Sequence, residues 1–211
     1  MKRRTLDLFF SIGGAIFAVL LLILGFVLKD QADFANDYVS TQLAAQKITF
    51  TPAEALSEEE AAADCLVEHG GEQLNSGKEA ECYANHYIAL HMAESAEAAG
   101  YPGETFATMG NIIRGPEGLA AELQSAKDSG DQAAIDEAQA AFDTAQGLRS
   151  TMQTGETLRG LLLTSYGFSV FGEKAELAAW VCWIGGALLL VLSIAGFVHA
   201  STRSAKEHVV A

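Results

Sequence analysis

Charge is absent from two long stretches of this chain, and basic charge is scarce in most of the rest. Thirteen Lys and Arg stand against 27 Asp and Glu, a formal net charge of −14. A nucleic-acid binder needs a basic footprint, so that class is excluded. Only three cysteines occur, none in a C-x-x-C pair or a C-x-x-C-H haem attachment, which removes the thioredoxin-like and c-type haem readings. No G-x-S-x-G, G-x-x-x-x-G-K-[ST] or G-x-G-x-x-G occurs, so no recognisable nucleophile elbow or nucleotide loop is present. The fixed pattern of a calcium loop is missing too; DSGDQAAIDE reads as a turn. No strand pattern of useful length and no internal repeat is found.

The two uncharged stretches are what the chain has instead. LFFSIGGAIFAVLLLILGFVL runs over Leu8–Leu28 and LAAWVCWIGGALLLVLSIAGFV over Leu177–Val198, 21 and 22 residues. About 20 helical residues cross a hydrocarbon core about 30 Å thick, and a soluble core helix rarely stays apolar all round for so long. Both are expected to be transmembrane helices. The first has the basic n-region of a signal peptide, but it is longer than the usual h-region of about 7–15 residues. Lys29-Asp30 follows it with no A-x-A site, so an uncleaved anchor is expected.

Lys2, Arg3 and Arg4 precede the first span, and Arg203 and Lys206 follow the second. The segment between, 29–176, carries 8 basic and 25 acidic residues. By the positive-inside rule both termini are cytoplasmic and the protein is a multi-pass plasma-membrane protein. The expected divisions are a basic tip 1–7, span 8–28, an extracytoplasmic acidic domain 29–176, span 177–198 and a cytoplasmic tail 199–211. That tail is too short for a signalling output module. The spans hold no Asp, Glu, Lys or Arg, so no ion or proton relay is visible in them.

The fold class expected is all-α: two transmembrane helices flanking an extracytoplasmic helical bundle with one disulfide. Phe34, Tyr38 and Leu43 continue a helical face beyond the first span. KITFT, 47–51, reads as a short extended piece, and Pro52 as the opening of a helix to about His69, with Ser57-x-x-Glu60 a weak capping-box match. A second helix is expected from about Lys78 to Ala99, and GYPGETFATMG from Gly100 as a loop. A third begins near Pro116-Glu117 and breaks at Asp128–Asp131. Ile135, Ala138, Phe142 and Ala145 then recur at spacings of 3, 4 and 3, a packing seam. Cys65 stands five residues before Gly70, and Cys82 five after Gly77. Two antiparallel helices joined by that turn bring the cysteines level, and outside the cytoplasm they can pair. Closing such a loop contributes about 3 kcal/mol in the chain-entropy model. Cys182 lies inside the second span as a packing residue.

LRGLLLTSYGFSVFGEKA, 158–175, is nearly as apolar as a span, but its uncharged part is only 13 residues long, too short to cross as a helix. Internal packing at the base of the domain is expected first. A partner-docking surface formed by Leu161, Leu162, Tyr166, Phe168 and Phe171 is expected second. Ala178, Cys182 and Gly186 repeat every four residues in the second span, as do Ser11 and Ala15, and Gly14 and Ala18, in the first. Small residues so spaced let helices approach closely.

Among the histidines, His69, His86 and His91 fall in the middle segment, His199 and His208 in the tail. His86 and His91 are the nearest approach to a metal pair, but five residues turn a helix through about 500°, leaving them about 140° apart. No metal, cofactor or catalytic set is therefore expected.

KRRTLDLFFSIGG, ADCLVEHGGEQLNSGKEAECYAN and LRGLLLTSYGFSVFGEKA together resemble a group of uncharacterised actinobacterial membrane proteins with two spans. Some carry the label aromatic ring-opening dioxygenase. That chemistry calls for iron held by histidines and a carboxylate, and no such cluster stands out in the sequence. The resulting expectation is a non-enzymatic integral membrane protein in the lipid bilayer, an accessory or scaffold subunit associating with another membrane protein or with itself. The alternative is an extracytoplasmic ligand- or metal-binding module anchored by two spans.

Overall fold

Helix dominates the computed structural model, which describes residues 3–202. Lys2, Arg203, Lys206 and His208, and the side chain of Arg3, lie outside the described residues. Helix α1 runs over Arg3–Ala45 and α8 over Gln132–Thr202. Between them come a 3₁₀ turn (Ala53–Ala55), α2 (Glu58–Ala61), α3 (Asp64–Glu68), α4 (Gly77–Cys82), a π-helical turn (Tyr83–Ile88), α5 (Ala89–Ala98), α6 (Phe106–Arg114) and α7 (Leu119–Ser129). The chain divides into two compact units, one comprising the residues up to Tyr38 with those from Phe168 onward, the other Val39–Gly167.

In the first unit the apolar runs of α1 and α8 pack on each other with small residues inside and large ones outside. Ser11, Ala18, Gly25 and Ala32 are buried on α1, and Gly172, Ala179, Gly186, Ser193 and Ala200 on α8. Both rows repeat every seven residues, the period of a left-handed helix pair. The approach is close: a Cβ on Gly186 would stand 3.0 Å from Leu22 Cγ and 3.1 Å from the Ala18 carbonyl. Ala178 and Cys182 flank this row and are half-buried. Phe9, Phe17, Ile23, Val181, Leu188 and Leu192 point outward. The most apolar windows of the two helices are only 17% and 11% buried, the reverse of a soluble core helix, and the protein is a two-span membrane protein. Just beyond the first run, Lys29 Nζ meets Asp33 at 2.6 Å and Glu176 at 3.0 Å.

The second unit is a helical bundle with two small cores. One gathers Val39, Leu43, Phe50, Leu66, Leu74, Cys82, Ile88 and Leu162. The other gathers Ala96, Met109, Ile113, Ala145, Leu148 and Met152. The disulfide is present between Cys65 and Cys82, with a Cα–Cα distance of 6.1 Å. KITFT is extended, and Thr49 forms an antiparallel bridge with Gln73.

Several elements depart from expectation. The helix anticipated from Pro52 to His69 is broken into three short pieces. Ser57 starts α2 with a complete capping box to Glu60, and Ala63 is extended at φ −95°, ψ 102°. GYPGETFATMG is a loop only to Thr105. Thr105 then caps α6 reciprocally with Thr108, and Met109 and Ile113, four apart, enter the second core. The helix anticipated from Lys78 widens into a π turn at Tyr83–Ile88. Gly130, at φ 74°, ends α7 where the DSGD break was expected. The apolar stretch 158–175 stays inside α8 without interruption. Leu162 is buried and Tyr166 half-buried, whereas Leu161, Phe168 and Phe171 are exposed.

Candidate metal centre

Three ligand-bearing side chains converge on the loop between α3 and α4. His69, Glu72 and Glu79 place one ligand atom each within 4.8 Å of one another. Each is set by a different local device. His69 is the C-cap of α3, its N–H donating to the Cys65 carbonyl at 3.1 Å. Its ring leans on buried Phe50, centroids 5.5 Å apart. Gly70 and Gly71 follow, the first for want of space and the second for its backbone angle. A Cβ on Gly70 would stand 2.7 Å from the Ala53 nitrogen, and Gly71 has φ 80°, a conformation favouring glycine.

Glu72 sits on a strip pinned to the extended segment 48–50. Phe50 N–H donates to the Glu72 carbonyl at 2.9 Å, Gly71 N–H to the Phe50 carbonyl at 3.2 Å, and Leu74 N–H to the Ile48 carbonyl at 2.9 Å. Glu79 is fixed by a capping box at the start of α4. Its Oε2 accepts from the backbone N–H of Asn75 at 2.6 Å and of Ser76 at 3.0 Å, while the Ser76 hydroxyl accepts from Glu79 N–H at 3.2 Å. These capping bonds use Oε2 alone. His69 Nδ1 and Glu72 Oε2 are 3.0 Å apart.

The donor set is one imidazole and two carboxylates. Zinc bonds of about 2.0–2.2 Å give neighbouring donors on a tetrahedron a separation of about 3.4 Å. The three ligand atoms, within 4.8 Å of one another, would have to draw closer to hold an ion, and water would complete the shell. An imidazole in the set suits a divalent transition metal better than calcium or magnesium, which prefer oxygen alone.

The histidines singled out by sequence lie elsewhere. His86 is exposed on the π turn. His91 has both ring nitrogens engaged, Nε2 with Glu60 Oε1 at 3.0 Å and Nδ1 with Glu94 Oε2 at 3.2 Å. Among the described residues, no three-residue ligand cluster includes either of them. Glu60 is buried. Its carboxyl is held below the ordinary range chiefly by the Ser57 N–H, which donates to Oε2 at 2.7 Å, and by His91, against the opposing effect of burial. Tyr83, Tyr87 and His91 form an aromatic ladder with centroid spacings of 4.6 and 4.4 Å. Burial and the neighbouring Tyr87 push the Tyr83 phenol up to about 12. The ladder borders an open groove of about 470 Å³ with Met92, Thr151 and Thr154. At the far end of the spans His199 stands 4.0 Å from Asp7.

Sequence reasoning passed over His69. The available signal was His69-x-x-Glu72 across a Gly-Gly turn, bracketed with Glu79 by Cys65 and Cys82. No family model, no curated protein and no solved structure matches the chain.

Proposed function

We propose that this is a membrane-anchored metal-binding module: two spans carry a disulfide-tied helical domain whose His69, Glu72 and Glu79 take one divalent transition cation. The convergence of those three ligand atoms within 4.8 Å carries the reading. It favours the ligand-module alternative over a pure accessory or scaffold subunit. The basic termini, the acidity of 29–176 and the Cys65–Cys82 bond support placing the domain outside the cytoplasm, with both ends inside. The acidic surface would draw cations toward the site. The role is binding rather than catalysis, and the resemblance to two-span actinobacterial proteins enters for architecture alone. Exposed Phe168 and Phe171 favour a second reading, a subunit that docks on another membrane protein.

The test is zinc and manganese titration of the full chain in detergent. Stoichiometric binding is expected, lost in Glu72→Ala and His69→Ala and kept in His86→Ala. Glu72 is exposed, so its replacement leaves the fold intact. Binding that survives both ligand substitutions would overturn the assignment.

A further inference from the structure

All three ligands lie inside the loop that the disulfide closes. Cys65 and Cys82 are 17 residues apart, and positions 69, 72 and 79 fall between them. The backbone bonds to segment 48–50 hold only the middle of this loop, Gly71–Leu74. His69 belongs to the end of α3 and Glu79 to the start of α4. Helix α3 has five residues, far below the length at which a helix is stable by itself. The covalent link setting α3 beside α4 is Cys65–Cys82, one cysteine on each.

We infer that metal affinity at this site is coupled to the redox state of the Cys65–Cys82 bond, the oxidised form binding tightly and the reduced form weakly. The inference rests on the metal-binding reading above. With the bond intact, His69 and Glu79 are presented together, and little ordering remains to be done when the ion arrives. With the bond reduced, α3 can part from α4, and the ion must reassemble the loop before three ligands reach it. Reduction is a two-electron exchange. Two molecules of a thiol such as glutathione supply the two electrons and two protons, the S–S bond becomes two thiols, and the two glutathiones leave joined as their disulfide. Coupling between binding equilibria is reciprocal. An ion that prefers the oxidised loop therefore makes that loop harder to reduce by the same factor.

The experiment uses the full chain in detergent and zinc as the probe. Zinc affinity is measured for the oxidised protein and for Cys65→Ala/Cys82→Ala, which has no thiols to act as substitute ligands; circular dichroism checks that the variant remains helical. A loss of about tenfold or more is expected, within the usual range of coupling factors. In parallel, the ratio of oxidised to reduced protein is measured in glutathione buffers with and without saturating zinc, and zinc is expected to raise that ratio by a matching factor. If oxidised protein binds no zinc, the metal-binding reading itself fails. If oxidised protein and the folded variant bind alike, or if zinc favours the reduced form because the freed thiolates capture it, the coupling is overturned while the metal-binding reading stands.

Discussion

Removing the Cys65–Cys82 bond should loosen one half of the second unit and leave the other half nearly untouched. The bond closes a loop of 17 residues, for which the chain-entropy expression gives a loss of about 3 kcal/mol at room temperature when the link is cut. Neither span can substitute, because neither closes this loop. A change of that size multiplies the population of the opened form by about 100-fold or more. The opening should be local. Phe50, Leu66, Leu74, Ala80 and Cys82 pack in one core, whereas Met109, Ile113, Ala145, Leu148 and Met152 pack in another. Hydrogen exchange read by mass spectrometry on the intact, detergent-solubilised chain separates the two. In Cys65→Ala/Cys82→Ala, amides of 64–84 should exchange about two orders of magnitude faster under equilibrium-opening conditions, while those of 106–114 and 145–152 change by less than about threefold. Tryptophan fluorescence would miss the effect, since Trp180 and Trp183 both lie in the second apolar run. Equal acceleration in both cores, or acceleration below about threefold in 64–84, would refute the argument that loop closure orders this core in particular.

Two further outcomes follow from contacts described above. Tyr83, with its phenol pushed up to about 12, favours the folded state in its neutral form; that contribution is complete below the ordinary tyrosine pKa of about 10 and disappears as pH rises through about 12. Phenolate absorbance should show a late-titrating component that is absent in Tyr83→Phe; a titration unchanged by that substitution would sink the assignment. Gly186→Leu should destabilise the span pair by about 1–3 kcal/mol through overpacking against Leu22 and the Ala18 carbonyl, whereas Gly13→Leu, with nothing within 4 Å, should not. Equal thermal stability of the two variants in the same detergent would count against the seam.

What the sequence made legible was governed by local rules. The spans are a matter of composition and length, the Cys65–Cys82 pairing of spacing and compartment, and the end of α7 of a glycine needing a left-handed backbone at Gly130. Where neighbours decide, the reading failed. The start of α6 was hidden because Pro102 and Gly103 dominate its surroundings and its cap pairs Thr105 with Thr108 rather than with Glu or Gln. The π turn has no propensity signature. The four-residue spacing of Ala178, Cys182 and Gly186 drew attention from the seven-residue row of Ala179, Gly186 and Ser193, which becomes evident only once two helices are paired. The candidate site follows no single-helix template, because a helix end, a pinned strip and a capping box each contribute one ligand. His86 and His91 were conspicuous by proximity in sequence, yet the ring nitrogens of His91 serve Glu60 and Glu94.

A row of near-identical small side chains every seven residues has a further consequence for the two spans. Sliding one helix along the other by one repeat, about 10.5 Å, would again set small residues opposite small residues, so packing of the row alone barely distinguishes the two alignments. Along this row the choice falls to the exceptions. Trp183 lies over Gly25, where a slip would press its ring on an alanine Cβ, and Lys29 would be carried away from Glu176. One indole and one ion pair act as detents along a row that is otherwise smooth.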